Sequence, residues 1–195
     1  MNCEKLISQN IDVNCDSPMI KGLEGNAVLI NRADIKFDTV AFNTTRKNVI
    51  ESLPLMAGKK GYSCYVPGAT PFAGLATSLK TGTYINTWDN NAPIVILDNG
   101  PDVCDKVIDG LANGQFVLIV ENKHKGSGDA AFQVYGFYQG LRATAGENDK
   151  YSEDLNGGWS VTLTETGAPK SGLFLYSTSY TATKALFDGL TSAAV

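Results

Sequence analysis

The longest apolar stretch of this 195-residue chain runs only from Phe116 to Val120. A run of that size makes one strand; a membrane-crossing helix takes about 20 apolar residues. The remaining apolar runs are just as short, and Gly, Pro, Asn and Asp separate them. Such a chain builds its core from many short strands rather than from a few long helices.

Composition points the same way. Charged residues make up 18% of the chain and glycine accounts for 20 positions, a balance that favours strands and turns over solvated helices. With 43% hydrophobic residues, the length suits one sizeable core. The net charge is −4, and the only basic clusters are Lys59-Lys60 and Lys123-His124-Lys125, each beside glycine. Sequence-specific duplex binding, which needs clustered Lys and Arg, is not expected. Met1 to Ile7 has no apolar run behind its charge, so no secretory signal is expected. The four cysteines, Cys3, Cys15, Cys64 and Cys104, include no CxxC pair. That spacing excludes a zinc ribbon or a thioredoxin-like site. Four reduced thiols are the default, with a Cys3–Cys15 disulfide left open.

Along the chain, residues 1–25 read as a polar, extended N-terminal arm, and 26–195 as a single β-rich domain. Strands are expected over 26–31, 35–42, 47–53, 81–88, 93–98, 115–122, 130–141, 159–164 and 173–176. Asn99-Gly100-Pro101-Asp102 is a helix start. Val103, Val107, Ile108 and Leu111 then follow at helical spacing, and Gly114 stops the run. A short C-terminal helix is expected over 181–189. Residues 142–156, with Glu147, Asp149, Glu153 and Asp154, read as a mobile acidic loop. Residues 54–80 read as a long loop punctuated by Pro and Gly, yet they carry Leu55, Met56, Tyr62, Tyr65 and Phe72. Large apolar residues in so long a loop need something to cover them, either their own domain or another subunit, and another subunit is the simplest cover. The sum is a mainly β chain: a β-sandwich or β-barrel with one helix packed on it, an arm and a long inter-strand loop.

The chemical readings fail on parts. His124 stands between two lysines, which reads as a surface position rather than a catalytic base with a carboxylate partner. Asp12-Val13-Asn14-Cys15-Asp16 has acids at calcium-loop spacing, but Ser17 stands where the loop needs Gly and Leu23 where it needs a bidentate Glu. Gly126-Ser127-Gly128 lacks the Lys and Ser/Thr of a phosphate loop and reads as a hairpin tip. No G-x-S-x-G surrounds any serine. Asn43-Thr44-Thr45 has the form of a glycosylation sequon, which carries no weight without an export signal. Nothing fixes two carboxylates for glycoside hydrolysis. Tyr62, Tyr65, Trp88, Tyr135, Phe137 and Tyr138 could stack on bases or sugars, although strand alternation assigns several of them to the core. No catalytic residue, cofactor or metal is assigned.

Ile11 to Asp16, Ile20 to Leu23 and Val28 to Ile35 together resemble the start of a group of virion structural proteins of Bacteroidetes phages. Phe132 to Leu141, the polar loop after it, and Gly157-Gly158-Trp159 to Leu163 are similar in layout to phage tail-tube proteins. That resemblance implies a β-barrel subunit with one helix that forms stacked rings around a DNA channel. It also implies a place in the virion after synthesis in the host cytoplasm. The partners it implies are copies of the chain itself and other virion proteins, with non-specific passage of DNA and no membrane. Residues 54–80 would be the inter-ring loop. Two other readings stay open: a capsid decoration or head-fibre protein, and a glycan- or peptide-binding β-sandwich.

Overall fold

The computed structural model describes residues 6–194. Eleven strands form: β1 (Leu23–Asn31), β2 (Ala41–Phe42), β3 (Val49–Ser52), β4 (Tyr62–Tyr65), β5 (Ala76–Lys80), β6 (Thr87–Ile96), β7 (Phe116–Asn122), β8 (Phe132–Tyr135), β9 (Arg142–Glu147), β10 (Trp159–Ala168) and β11 (Leu173–Leu175). They make a seven-stranded sheet in the order β2-β3-β11-β8-β7-β1-β4 and a four-stranded sheet in the order β5-β6-β10-β9. Neighbours are antiparallel except β11 and β3. The architecture is a sandwich; neither sheet closes into a barrel. Among the described residues no helix is long and apolar enough to cross a membrane.

The five-residue apolar run explains the layering. All of Phe116–Glu121 in β7 is buried. Val117 and Ile119 join Val28, Ile30, Phe132 and Phe187 in one core, while Phe116, Leu118 and Val120 join Ile94, Leu111, Val161 and Leu163 in another. A strand covered on both faces reads as continuous hydrophobicity rather than alternation. The first core lies under the C-terminal helix Tyr180–Gly189. Ser179 Oγ caps that helix by accepting from the Ala182 N–H at 3.2 Å. The second core lies between the two sheets.

The helix that connects β6 to β7 spans residues 101–113. It begins with Pro101–Val103 as the sequence predicts. A π-helical stretch at Cys104–Ile108 follows, then α-helix over Asp109–Asn113. Gly114 ends it, its N–H donating to Gly110 O at 3.0 Å.

Several sequence expectations need correction. The stretch 54–80 is not one long loop: β4 pairs with β1, and β5 pairs with β6. Its large apolar residues are partly the side chains of those strands, too short between Gly and Pro to show a period. The mobile loop expected over 142–156 is strand through Glu147, paired with β10. Small Ala143 and Ala145 there hide the strand signal beneath the acids. The strand expected over 35–42 is broken by a 3-10 turn at Phe37–Thr39, leaving only β2. Residues 81–86 are a hairpin connection, and β6 instead runs through Pro93. That proline is tolerated because pairing with β5 starts only at Asn91 opposite Ala76, so one side of Pro93 has no strand beside it. The strand expected over 130–141 ends at Tyr135, where Gly136 takes φ +80°.

That turn holds the molecule's most demanding polar contact. Along β10, Val161, Leu163 and Glu165 face inward by alternation, and Glu165 is 1% exposed. Its Oε2 accepts from Asn90 Nδ2 (2.8 Å) and the Gly136 N–H (2.9 Å); its Oε1 accepts from the N–H groups of Tyr138 (3.0 Å) and Gln139 (2.8 Å). A Cβ on Gly136 would come within 2.4 Å of Phe116 O, so only glycine makes this approach. From the other side the Arg32 guanidinium donates to Phe137 O and Tyr138 O.

Glu165→Gln replaces an acceptor oxygen with a donor that faces N–H groups. It should lower unfolding free energy by about 1–3 kcal/mol. Glu165→Ala, which orphans three backbone donors, should lower it further. Urea unfolding midpoints at constant slope check this; unchanged midpoints in both variants would refute the structural role.

Candidate self-association surface

The two buried carboxylates, Glu165 and Glu121, are engaged in holding the fold. Glu165 has all its acceptor capacity directed at four donors and no open face toward solvent. Burial, and then the charge of Glu165, raises the Tyr138 hydroxyl above its ordinary range. Burial alone raises that of Tyr135. Glu121, at the end of the doubly buried strand, accepts from Lys125 Nζ (2.6 Å) and Tyr180 Oη (2.7 Å), and Lys125 also meets Glu24 at 3.4 Å. This cluster ties the root of β1, the β7–β8 hairpin and the C-terminal helix together. Its hydrogen bond from Tyr180 to Glu121 pushes the Tyr180 hydroxyl up to about 12.

His124 is half-buried and makes no hydrogen bond or ion pair among the described residues. Asn14 Oδ1 accepts from the N–H groups of Asp16 and Ser17, closing its own turn. Among the described residues no three His, Cys, Asp or Glu side chains gather where they could hold a metal ion. Gly126 and Gly128 lie in the β7–β8 hairpin, both at positive φ. Cys15, Cys64 and Cys104 are free thiols, and burial raises Cys64 to about 11; Cys3 lies outside the described residues.

The five residues expected to meet another subunit separate into two groups. Phe72 is 3% exposed and belongs to the inter-sheet core. It reaches that core from φ +53°, a left-handed conformation rare for a bulky residue. Leu55 bridges Ile35 and packs on the first core, so it too is covered by its own chain. The expectation fails for these two because a turn can fold a side chain back under its own sheet, which no local pattern reveals. Met56, Tyr62 and Tyr65 remain at the surface, 46%, 53% and 64% exposed. Both tyrosines stand on β4, the terminal strand of the seven-stranded sheet.

Other exposed apolar groups project from the same molecule. Leu6, Ile7, Ile11, Val13, Met19 and Ile20 line the N-terminal arm, and Tyr84 and Ile85 cap the β5–β6 hairpin. The sequence signal for the arm is the alternation of Ile7, Ile11 and Val13, interrupted by Gln9, with Ser8, Asn10, Asp12 and Asn14, a strand pattern with no strand partner among the described residues. A shallow groove of about 360 Å³ also opens between the 101–113 helix and β9, lined by Ile108, Ala112, Ala143, Ala145 and Trp159. No family model, curated protein or solved structure matches the chain.

The Tyr180–Glu121 bond gives a pH signature. Below pH 10 the hydroxyl is protonated in both folded and unfolded chains, and the bond is fully present. The folded chain holds the proton to about 12 against 10.0 when unfolded, so this contribution is lost as pH rises from 10 through 12. Tyr180→Phe should therefore be less stable than the parent at pH 8, with the gap narrowing toward pH 12. A gap that stays constant in pH-resolved melts would contradict the assignment.

Proposed function

We propose that the chain is a structural subunit that assembles with copies of itself, and that its assembly is a tail-tube-like ring, stacked around a DNA channel in a virion. The carrying observation is the distribution of exposed apolar groups. Most of them sit on three projecting features, the arm, the β5–β6 hairpin and the β4 edge, while others such as Leu97, Val107 and Tyr151 are scattered elsewhere. Projecting edges and arms suit subunit contact, whereas a ligand site gathers convergent polar groups in a cleft. The polar groups that could converge, Glu165 and Glu121, are saturated by the fold. The ring and the virion come from the resemblance of 11–35 and 132–163 to tail-tube and related virion proteins. The net charge of −4 suits a lumen through which DNA slides without adhering.

Sedimentation and electron microscopy of the purified protein test this reading. Rings with an open lumen support it. Compact trimers without a lumen would favour a capsid decoration protein, and a strict monomer at high concentration would end the self-assembly reading. Replacing Tyr62 and Tyr65 by serine should weaken association about tenfold or more, as loss of exposed aromatic anchors does. It should move monomer stability by only about 0.5 kcal/mol, since both side chains lie at the surface.

A further inference from the structure

Resting on that self-assembly reading, we infer that residues 7–14 of one copy add as a strand to the β4 edge of a second copy. The edge is open in the required way. The Val66 N–H donates to Gly25 O at 2.9 Å, and the pairing continues with Cys64 opposite Ala27 and Tyr62 opposite Leu29. Alternation along an antiparallel pair then turns the backbone groups of Ser63 and Tyr65 away from β1, where no described strand meets them. The stretch just before β4 is closed instead: Gly58, Lys59 and Gly61 bond to Leu190 and Ala194 of the C-terminal tail. The open edge is therefore short and bounded.

The arm matches it in three respects. It has the period of a strand, with Ile7, Ile11 and Val13 on one side, interrupted by Gln9, and Ser8, Asn10, Asp12 and Asn14 on the other. All three apolar side chains are more than four-fifths exposed in the single chain. On the inter-sheet face of β4, half-buried Cys64 and Leu29 beside it pack at the margin of the second core, so an added strand with one apolar side extends that core. Charge agrees as well. Residues 6–20 carry Asp12 and Asp16 and no Lys or Arg, whereas 52–88 carry Lys59, Lys60 and Lys80 and no acid. Lys59 already meets Asp34, while Lys60 has no ion-pair partner among the described residues. The other edges fit less well. β2, at the far end of the same sheet, is only 2 residues long, β9 is flanked by the 101–113 helix, and β5 ends in Lys80, paired to Asp89.

Strand addition of this kind takes affinity from main-chain bonds and specificity from alternate side chains. Two full-length variants separate its two halves. Ile7→Ser/Ile11→Ser/Val13→Ser spoils the arm and leaves the edge. Ser63→Pro removes an outward N–H that the monomer does not use, spoiling the edge and leaving the arm; thermal melts check that both variants fold. Each variant alone should associate at least tenfold more weakly than the parent in sedimentation. Mixing the two should restore a one-to-one complex, because one supplies an intact arm and the other an intact edge. An arm variant that associates as strongly as the parent would overturn this pairing while leaving self-assembly standing. Two variants that are weak alone and stay weak when mixed would overturn it too, since the arm would then act on its own chain. A parent chain that is monomeric would bring down both proposals.

Discussion

The Glu165 carboxylate stands where the two sheets must agree. It belongs to β10 of the four-stranded sheet, yet three of its four donors are backbone N–H groups of the turn after β8 in the seven-stranded sheet. A buried carboxylate without donors costs several kcal/mol, so the sheets pack only in an arrangement that brings Gly136, Tyr138 and Gln139 to it. Hydrophobic burial drives the sheets together but is non-directional; the carboxylate selects one registration from those that burial alone permits. Arg32 fixes the same turn through its carbonyls, which links the end of β1 to this arrangement.

The second constraint is the doubly buried β7. A strand with apolar residues on both faces needs a layer on each side, and the chain supplies the C-terminal helix on one and the smaller sheet on the other. The Glu121 cluster closes the far end of this stack by joining Lys125, Tyr180 and Glu24. Both carboxylates buried among the described residues, Glu165 and Glu121, are thus engaged by the fold.

Much of the secondary structure was legible in sequence. The 101–113 helix announced itself through Pro101, the spacing of Val107, Ile108 and Leu111, and the Gly114 stop. β7 and β10 announced themselves by an apolar run and by alternation. The candidate surface was half legible. Tyr62 and Tyr65 were picked out as apolar residues needing cover, but so were Leu55 and Phe72, which their own chain covers. β4, β5 and β9 were missed because strands this short, with Ser, Thr, Ala and Gly in them, are specified by the partner strand rather than by their own period.

The sequence by itself determined the β-rich class and the position of the helix between β6 and β7, because these rest on local periodicity and on the backbone preferences of Pro and Gly. Glu165 shows the limit. Alternation after Val161 and Leu163 already put it on the inward face, but only the tertiary structure supplied the donors that make burial tolerable, since three come from backbone 26, 27 and 29 positions away and the fourth from Asn90, 75 positions away. The tertiary structure likewise decided which apolar residues stay uncovered, because burial is a property of what packs against a side chain and not of the side chain itself.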